Sequence, residues 1–103
     1  MATIQVLVSD LMLSSKVTET LGSLGYELIA GPEPGPGADL IIADLDSVDA
    51  EAVAAAGPPT LGFYSHVDVE TRRRGEAAGF DLVVPRSRMA RELPALVERL
   101  LAG

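Results

Sequence analysis

The 103-residue chain contains no cysteine, a single histidine and a single lysine. Without thiols there is no thiol catalysis, no iron–sulfur ligation and no disulfide framework. One histidine leaves a structural zinc site short of ligands. No apolar run approaches the roughly 18 residues that span a bilayer, so membrane insertion is not expected. The opening Met1-Ala2-Thr3-Ile4-Gln5-Val6 has no basic segment leading into a long apolar stretch. A secretory signal is therefore not indicated, and a cytoplasmic location is the expectation. The lone Lys16 follows Ser14-Ser15 rather than closing a glycine-rich phosphate loop. Gly-x-Gly-x-x-Gly and Gly-x-Ser-x-Gly are both absent. A hydrolase triad would depend wholly on His66, so no enzyme is expected.

What is present is an apolar fraction of 48%, enough for one core. At this length roughly two-thirds of the unfolded surface can be buried, and residues 1–103 read as one domain. The net charge of −7 is unevenly placed. Residues 1–70 hold eleven acids and one base, whereas residues 71–103 hold four acids and seven arginines. An acidic chain with one local cluster, Arg72-Arg73-Arg74, is a poor match to nucleic acid, which needs many phosphate contacts. The triplet reads as a solvated helix face.

Short β-branched or apolar runs alternate with helical patterns. Residues 4–8, 26–30, 39–44, 60–65 and 81–85 read as strands, nearly continuous in apolar side chains. Leu13, Val17, Leu21 and Leu24 recur at helical spacing, with Gly25 as the stop and Ser14 and Ser15 as the expected capping residues. Further helices are expected over 49–56, 69–78 (closed by Gly79) and from about Met89 to Ala102, with Leu93, Leu96, Val97 and Leu100 on one face. Between the second and third strands, residues 31–37 carry three prolines and three glycines and can be neither helix nor strand. The alternation predicts an α/β fold, a three-layer doubly wound sheet of five parallel strands.

In such a sheet ligands bind outside the carboxyl ends of the strands. The residues ending the strands are Ser9 and Asp10, Asp44 with Asp46 just beyond, Tyr64-Ser65-His66, and Pro85-Arg86. Carboxylates, a hydroxyl and a cation then share one rim. Oxygen ligands suit a hard cation such as Mg²⁺, and a cation beside a hydroxyl can stabilise a phosphoryl group. The plainer role for Asp10 and Asp44 is turn capping, and for His66 that of a loop residue whose titration falls near neutrality.

This arrangement resembles the receiver domain of two-component response regulators, over the whole chain in element order. The match is most specific at Asp39-Leu40-Ile41-Ile42-Ala43-Asp44-Leu45-Asp46 and in the Ala77-Ala78-Gly79 approach to the last strand. The resemblance implies a flavodoxin-like fold and a signalling module acting through protein partners, a histidine kinase or other signalling protein, or through a homodimer. It casts Asp44 as phosphoacceptor, and Asp10, Asp44 and the backbone carbonyl of Asp46 as holding a weakly bound Mg²⁺. Ser65 or Tyr64 would supply the phosphoryl-sensing hydroxyl, Ser65 being preferred because a tyrosine would overreach. Arg86 or Val84 would stand at the family's lysine, Arg86 being preferred because it keeps a cation.

The chain departs from the family pattern at several points. Ser9 stands where a second metal-site acid is usual, and fewer acids weaken Mg²⁺ binding. Arginine is a longer planar fork than lysine. The family's second helix is replaced by residues 31–38, which leaves a face of the sheet uncovered near the first two strands and points to a partner there. A stand-alone module with impaired phosphoacceptance is the reading that results. The alternatives are a phosphorylation-independent dimerisation or adaptor domain and, further off, a small flavodoxin-like cofactor carrier.

Overall fold

The computed structural model describes residues 2–30, 34, 37–65 and 69–103. The elements run β1 (Thr3–Leu7), α1 (Leu11–Ser23), β2 (Glu27–Ala30), β3 (Leu40–Asp44), α2 (Ala50–Ala54), β4 (Thr60–Tyr64), α3 (Val69–Ala78), β5 (Leu82–Pro85) and α4 (Arg86–Ala102). The five strands form one parallel sheet in the order β2-β1-β3-β4-β5. The order reverses between β1 and β3, the place where doubly wound sheets open a cleft at their carboxyl ends. The expected fold class is the one observed.

β3 lies at the centre because all five of its residues are buried. Successive side chains alternate between faces. Ile4, Val6, Leu40, Ile42, Leu61, Phe63 and Val84 pack under α1 and α4, against Leu13, Val17, Leu21, Met89, Leu93, Leu96 and Val97. On the other face Leu7, Ile41, Ala43 and Leu45 meet α2 through Ala50 and Val53, together with Phe80 beyond α3. Each fully buried leucine, isoleucine or phenylalanine contributes about 1.5–3 kcal/mol, so these two layers hold the sheet. Gly25 and Gly79 follow α1 and α3 with φ of 95° and 103°, a conformation open to glycine and strained for other residues.

Two carboxylates on the amino side pin strand pairs. Asp39 Oδ2 accepts from the Thr3 N–H (2.8 Å) while its own N–H donates to the Thr3 carbonyl (2.7 Å). Asp81 Oδ2 accepts from the Thr60 N–H (2.8 Å), and the Asp81 N–H donates to Thr60 Oγ1 (3.2 Å).

Several expectations are corrected. Asp10, not Ser14 or Ser15, caps α1, so the helix begins at Leu11, two residues before the apolar stripe. Leu24 lies at the helix C-cap, past the last turn that touches the sheet, and is 51% exposed rather than part of the core. The last helix starts at Arg86 instead of Met89 and is broken at Glu92 (φ −115°, ψ 15°). Pro94 then falls in the first turn of the second segment, where its missing N–H has no intrahelical partner to lose.

Among the described residues no helix stands between β2 and β3. Residues 31–33 and 35–36 of the proline–glycine segment lie outside the described residues. The uncovered area is narrower than expected: Ile29 on the edge strand is 39% exposed, but Gln5 and Leu7 on β1 are buried. A groove of about 440 Å³ opens beside Leu7, between Pro34 and the start of α2 at Ser47, Val48 and Asp49. No helix among the described residues is long and apolar enough to cross a membrane.

Candidate functional site

The carboxyl ends of β1, β3, β4 and β5 deliver the rim residues. Asp10, after β1, is held at the start of α1 because its Oδ1 accepts from the Met12 N–H (3.0 Å) and the Leu13 N–H (3.2 Å). These are orphan donors of the first helical turn, so Asp10 does the work of an N-cap. Its other oxygen, Oδ2, lies 3.3 Å from Nη2 of Arg86, the first residue of α4. The Leu13 N–H, the Arg86 guanidinium and the Met12 N–H hold the Asp10 carboxyl below its usual pKa, against a smaller opposing effect of desolvation.

Asp44 ends β3 and is buried, with 8% exposure. Its Oδ1 accepts from the Asp46 N–H at 3.0 Å. No described residue bonds to Oδ2. Burial raises the Asp44 pKa above the usual carboxylate value. The Asp46 N–H and the Arg86 charge pull it down, and the Asp46 and Asp10 carboxylates push it up. Arg86 therefore acts on both acids, directly on Asp10 and through space on Asp44.

Asp46 contributes more than its backbone. Its carboxylate accepts from the Ser65 N–H at 2.9 Å and so ties the end of β4 to the loop after β3. Tyr64 is buried and alternates with Phe63, which packs under α1 and α4, so Tyr64 faces the opposite layer. Ser65 is exposed just beyond it. Val84 is fully buried in the core, whereas Arg86 reaches the rim. His66 lies outside the described residues. Asp10, Asp44, Asp46 and Arg86 come together, and Ser65 joins them through its backbone.

Sequence reasoning missed the role of Arg74. Its Nη2 donates to the Leu45 carbonyl at 2.8 Å, next to Asp44, while Arg72 pairs with Glu76 on the helix surface. Nothing in the spacing of the arginine triplet separates Arg74 from its neighbours.

No family model matches the chain, and no curated protein matches its sequence. Solved structures do match. The chain is similar to a CheY-like response regulator receiver domain protein from Methanospirillum hungatei JF-1, at 17% identity over 99% of this chain and 94% of that one, with a TM-score of 0.81. The BeF3-activated DrrB receiver domain matches at 20% identity over 100% and 99% of the two chains, also with a TM-score of 0.81. The chemotaxis protein CheY4 of Vibrio cholerae matches at 19% identity over 97% and 98%, with a TM-score of 0.78. The chain has the receiver fold. At these identities the likeness establishes the architecture and leaves the chemistry to the residues themselves.

The receiver fold implies a Mg²⁺ ion at this rim, and the donors present do not fit one as they stand. Asp10 Oδ1 is engaged by two helix N–H groups and Oδ2 by a guanidinium. Asp44 Oδ1 is engaged by the Asp46 N–H and Asp46 Oδ2 by the Ser65 N–H, so each of these two acids keeps one oxygen that no described residue engages. Among the described residues no three acidic or histidine side chains gather where they could hold a metal.

Proposed function

We propose that the chain is a receiver-type signal-transduction module that works through protein contacts, with phosphoryl acceptance at Asp44 impaired. The observation that carries this reading is the engagement of both Asp10 oxygens, by the first N–H groups of α1 and by Arg86, which removes Asp10 from the oxygens open to a cation beside Asp44. A phosphoryl group arriving at Asp44 adds negative charge beside Asp46 and Asp10. The available counter-charge is Arg86, already shared with Asp10. Partner contact fits the side where, among the described residues, no helix follows β2, with Ile29 exposed at the sheet edge and the groove beside Leu7 and Pro34.

The competing reading, a working phosphoacceptor with Ser65 and Arg86 sensing the phosphoryl group, is favoured by the place of Asp44 at the end of the central strand, with no described residue bonded to its Oδ2. Incubation with a small acyl phosphate and Mg²⁺, read by intact mass, separates the two. The impaired reading expects no phosphoryl adduct, with oligomeric state and partner binding unchanged in Asp44→Asn. An adduct that forms readily in the native chain and is lost in Asp44→Asn overturns it.

A further inference from the structure

The Asp10–Arg86 pair joins the end of β1 to the start of α4 across the rim. The side chains of both residues are substantially exposed, at 43% and 41%. Ion pairs of that exposure add little to stability because water and salt screen them. The weight of this pair lies instead in what it occupies. Asp10 sits at the amino end of α1, where the helix N–H groups already present partial positive charge. The guanidinium adds a full positive charge to the remaining oxygen. A cation approaching Asp44 thus meets two positive sources at the carboxylate that would have to be its second ligand.

Mg²⁺ is small, demands near-octahedral oxygen donors and gives up its water reluctantly. To enter here it must displace Arg86 from Asp10, or take its carboxylate oxygens from Asp44 and Asp46 while lying beside the guanidinium. Arg86 cannot relieve the conflict by losing its proton, since arginine stays charged in proteins. Its backbone is fixed between β5 and α4, so the charge leaves the rim only by swinging its own side chain away from Asp10.

We propose that Arg86 is the resident counter-cation of the Asp10–Asp44 rim, and that it excludes divalent ions from it. The inference deepens the reading above and rests on it only in taking this rim as the regulatory end of the domain. Arg86 then offsets one negative charge of the acidic end permanently, and the rim does not respond to divalent ion concentration.

Mn²⁺ is the probe, read by paramagnetic broadening of backbone amide signals, with Mg²⁺ added as diamagnetic competitor. The native chain is expected to show no selective broadening at Asp10, Asp44 and Leu45 at stoichiometric Mn²⁺. Arg86→Gln should bind Mn²⁺ at least tenfold more tightly, with broadening centred on those amides and reversed by Mg²⁺. Adding Asp10→Asn to it should abolish the gain. Selective broadening in the native chain as strong as in Arg86→Gln overturns the proposal. So does a folded Arg86→Gln that gains no binding, and Arg86→Ala serves as a second variant if the first fails to fold. Because ion binding is read without phosphoryl transfer, native-chain binding without an adduct sinks this inference and leaves the interaction reading standing. An adduct formed with Mg²⁺ sinks the reading itself.

Discussion

The Arg74 guanidinium donates to the Leu45 carbonyl at 2.8 Å, which fastens α3 to the residue immediately after Asp44. Of its ten residues Thr71 and Gly75 are buried. Helices with so little buried surface open at low cost. The link from Leu45 gives α3 a fixed point beside the rim.

Gly75 makes that link tight. A Cβ added there would lie 2.8 Å from Leu45 Cδ1 and 3.2 Å from Val83 Cγ2. Gly75→Ala gains about 1 kcal/mol of helix propensity, but overpacking a filled core costs about 1–3 kcal/mol. Leu45 is fully buried among Ile41, Ala43, Val53 and Phe80, so it can yield only by pushing on them. Overpacking wins. We expect Gly75→Ala to lower stability by about 1 kcal/mol in chemical denaturation, and an equal or higher midpoint would contradict the clamp.

Asp44 makes stability fall as pH rises. Its folded pKa is raised by burial above the usual value of 3.8. Between those two values the native chain holds more protons than the unfolded chain, so increasing pH costs stability through that window. Above it the cost is complete. Asp44→Asn removes the charge and keeps an acceptor for the Asp46 N–H. The variant should melt higher than the native chain at pH 7, by about 1 kcal/mol, the scale of relieving one desolvated group. Near pH 3 the two should coincide. Equal melting temperatures at pH 7 would show that burial is not what perturbs Asp44.

Asp10 behaves in the opposite sense. Its folded pKa lies below the usual value, so its contribution is present above the ordinary carboxylate range and lost as pH falls through the folded value. Asp10→Ala removes the acceptor for the Met12 and Leu13 N–H groups together with the partner of Arg86. Asp10→Asn keeps an oxygen for the cap. We expect the alanine variant to melt a few degrees lower at pH 7 and the asparagine variant to lose clearly less, measured by circular dichroism. Equal losses would assign the effect to charge and not to capping.

The architecture was legible because it rests on one-dimensional patterns. The unbroken apolar run from Leu40 to Ala43 marks the central strand, and the spacing of Leu13, Val17 and Leu21 marks a helix on it. Side-chain alliances across the rim were less legible, since pairing depends on distances between elements. Asp10 and Arg86 are 76 residues apart, and each could be placed at a strand end without showing that they meet. The break at Glu92 left no mark in the apolar spacing, so the expected helix ran on from Met89 to Ala102, whereas Pro94 opens a second segment. Asp39 and Asp81 read only as strand starts, because a carboxylate holding a neighbouring strand's N–H leaves no periodic trace.

Those two carboxylates divide labour between the ends of the sheet. Thr3 is pinned to Asp39 and Thr60 to Asp81, contacts spanning 36 and 21 residues. Slipping either pair by one position would turn a whole strand over and expose its buried side. Alignment is thus secured where the strands begin, and on the opposite rim Asp46 ties β4 again through the Ser65 N–H. The loop that follows β1 is released from that duty. Ser9, Asp10 and Arg86 stand in a region whose side chains can be exchanged without unzipping the sheet.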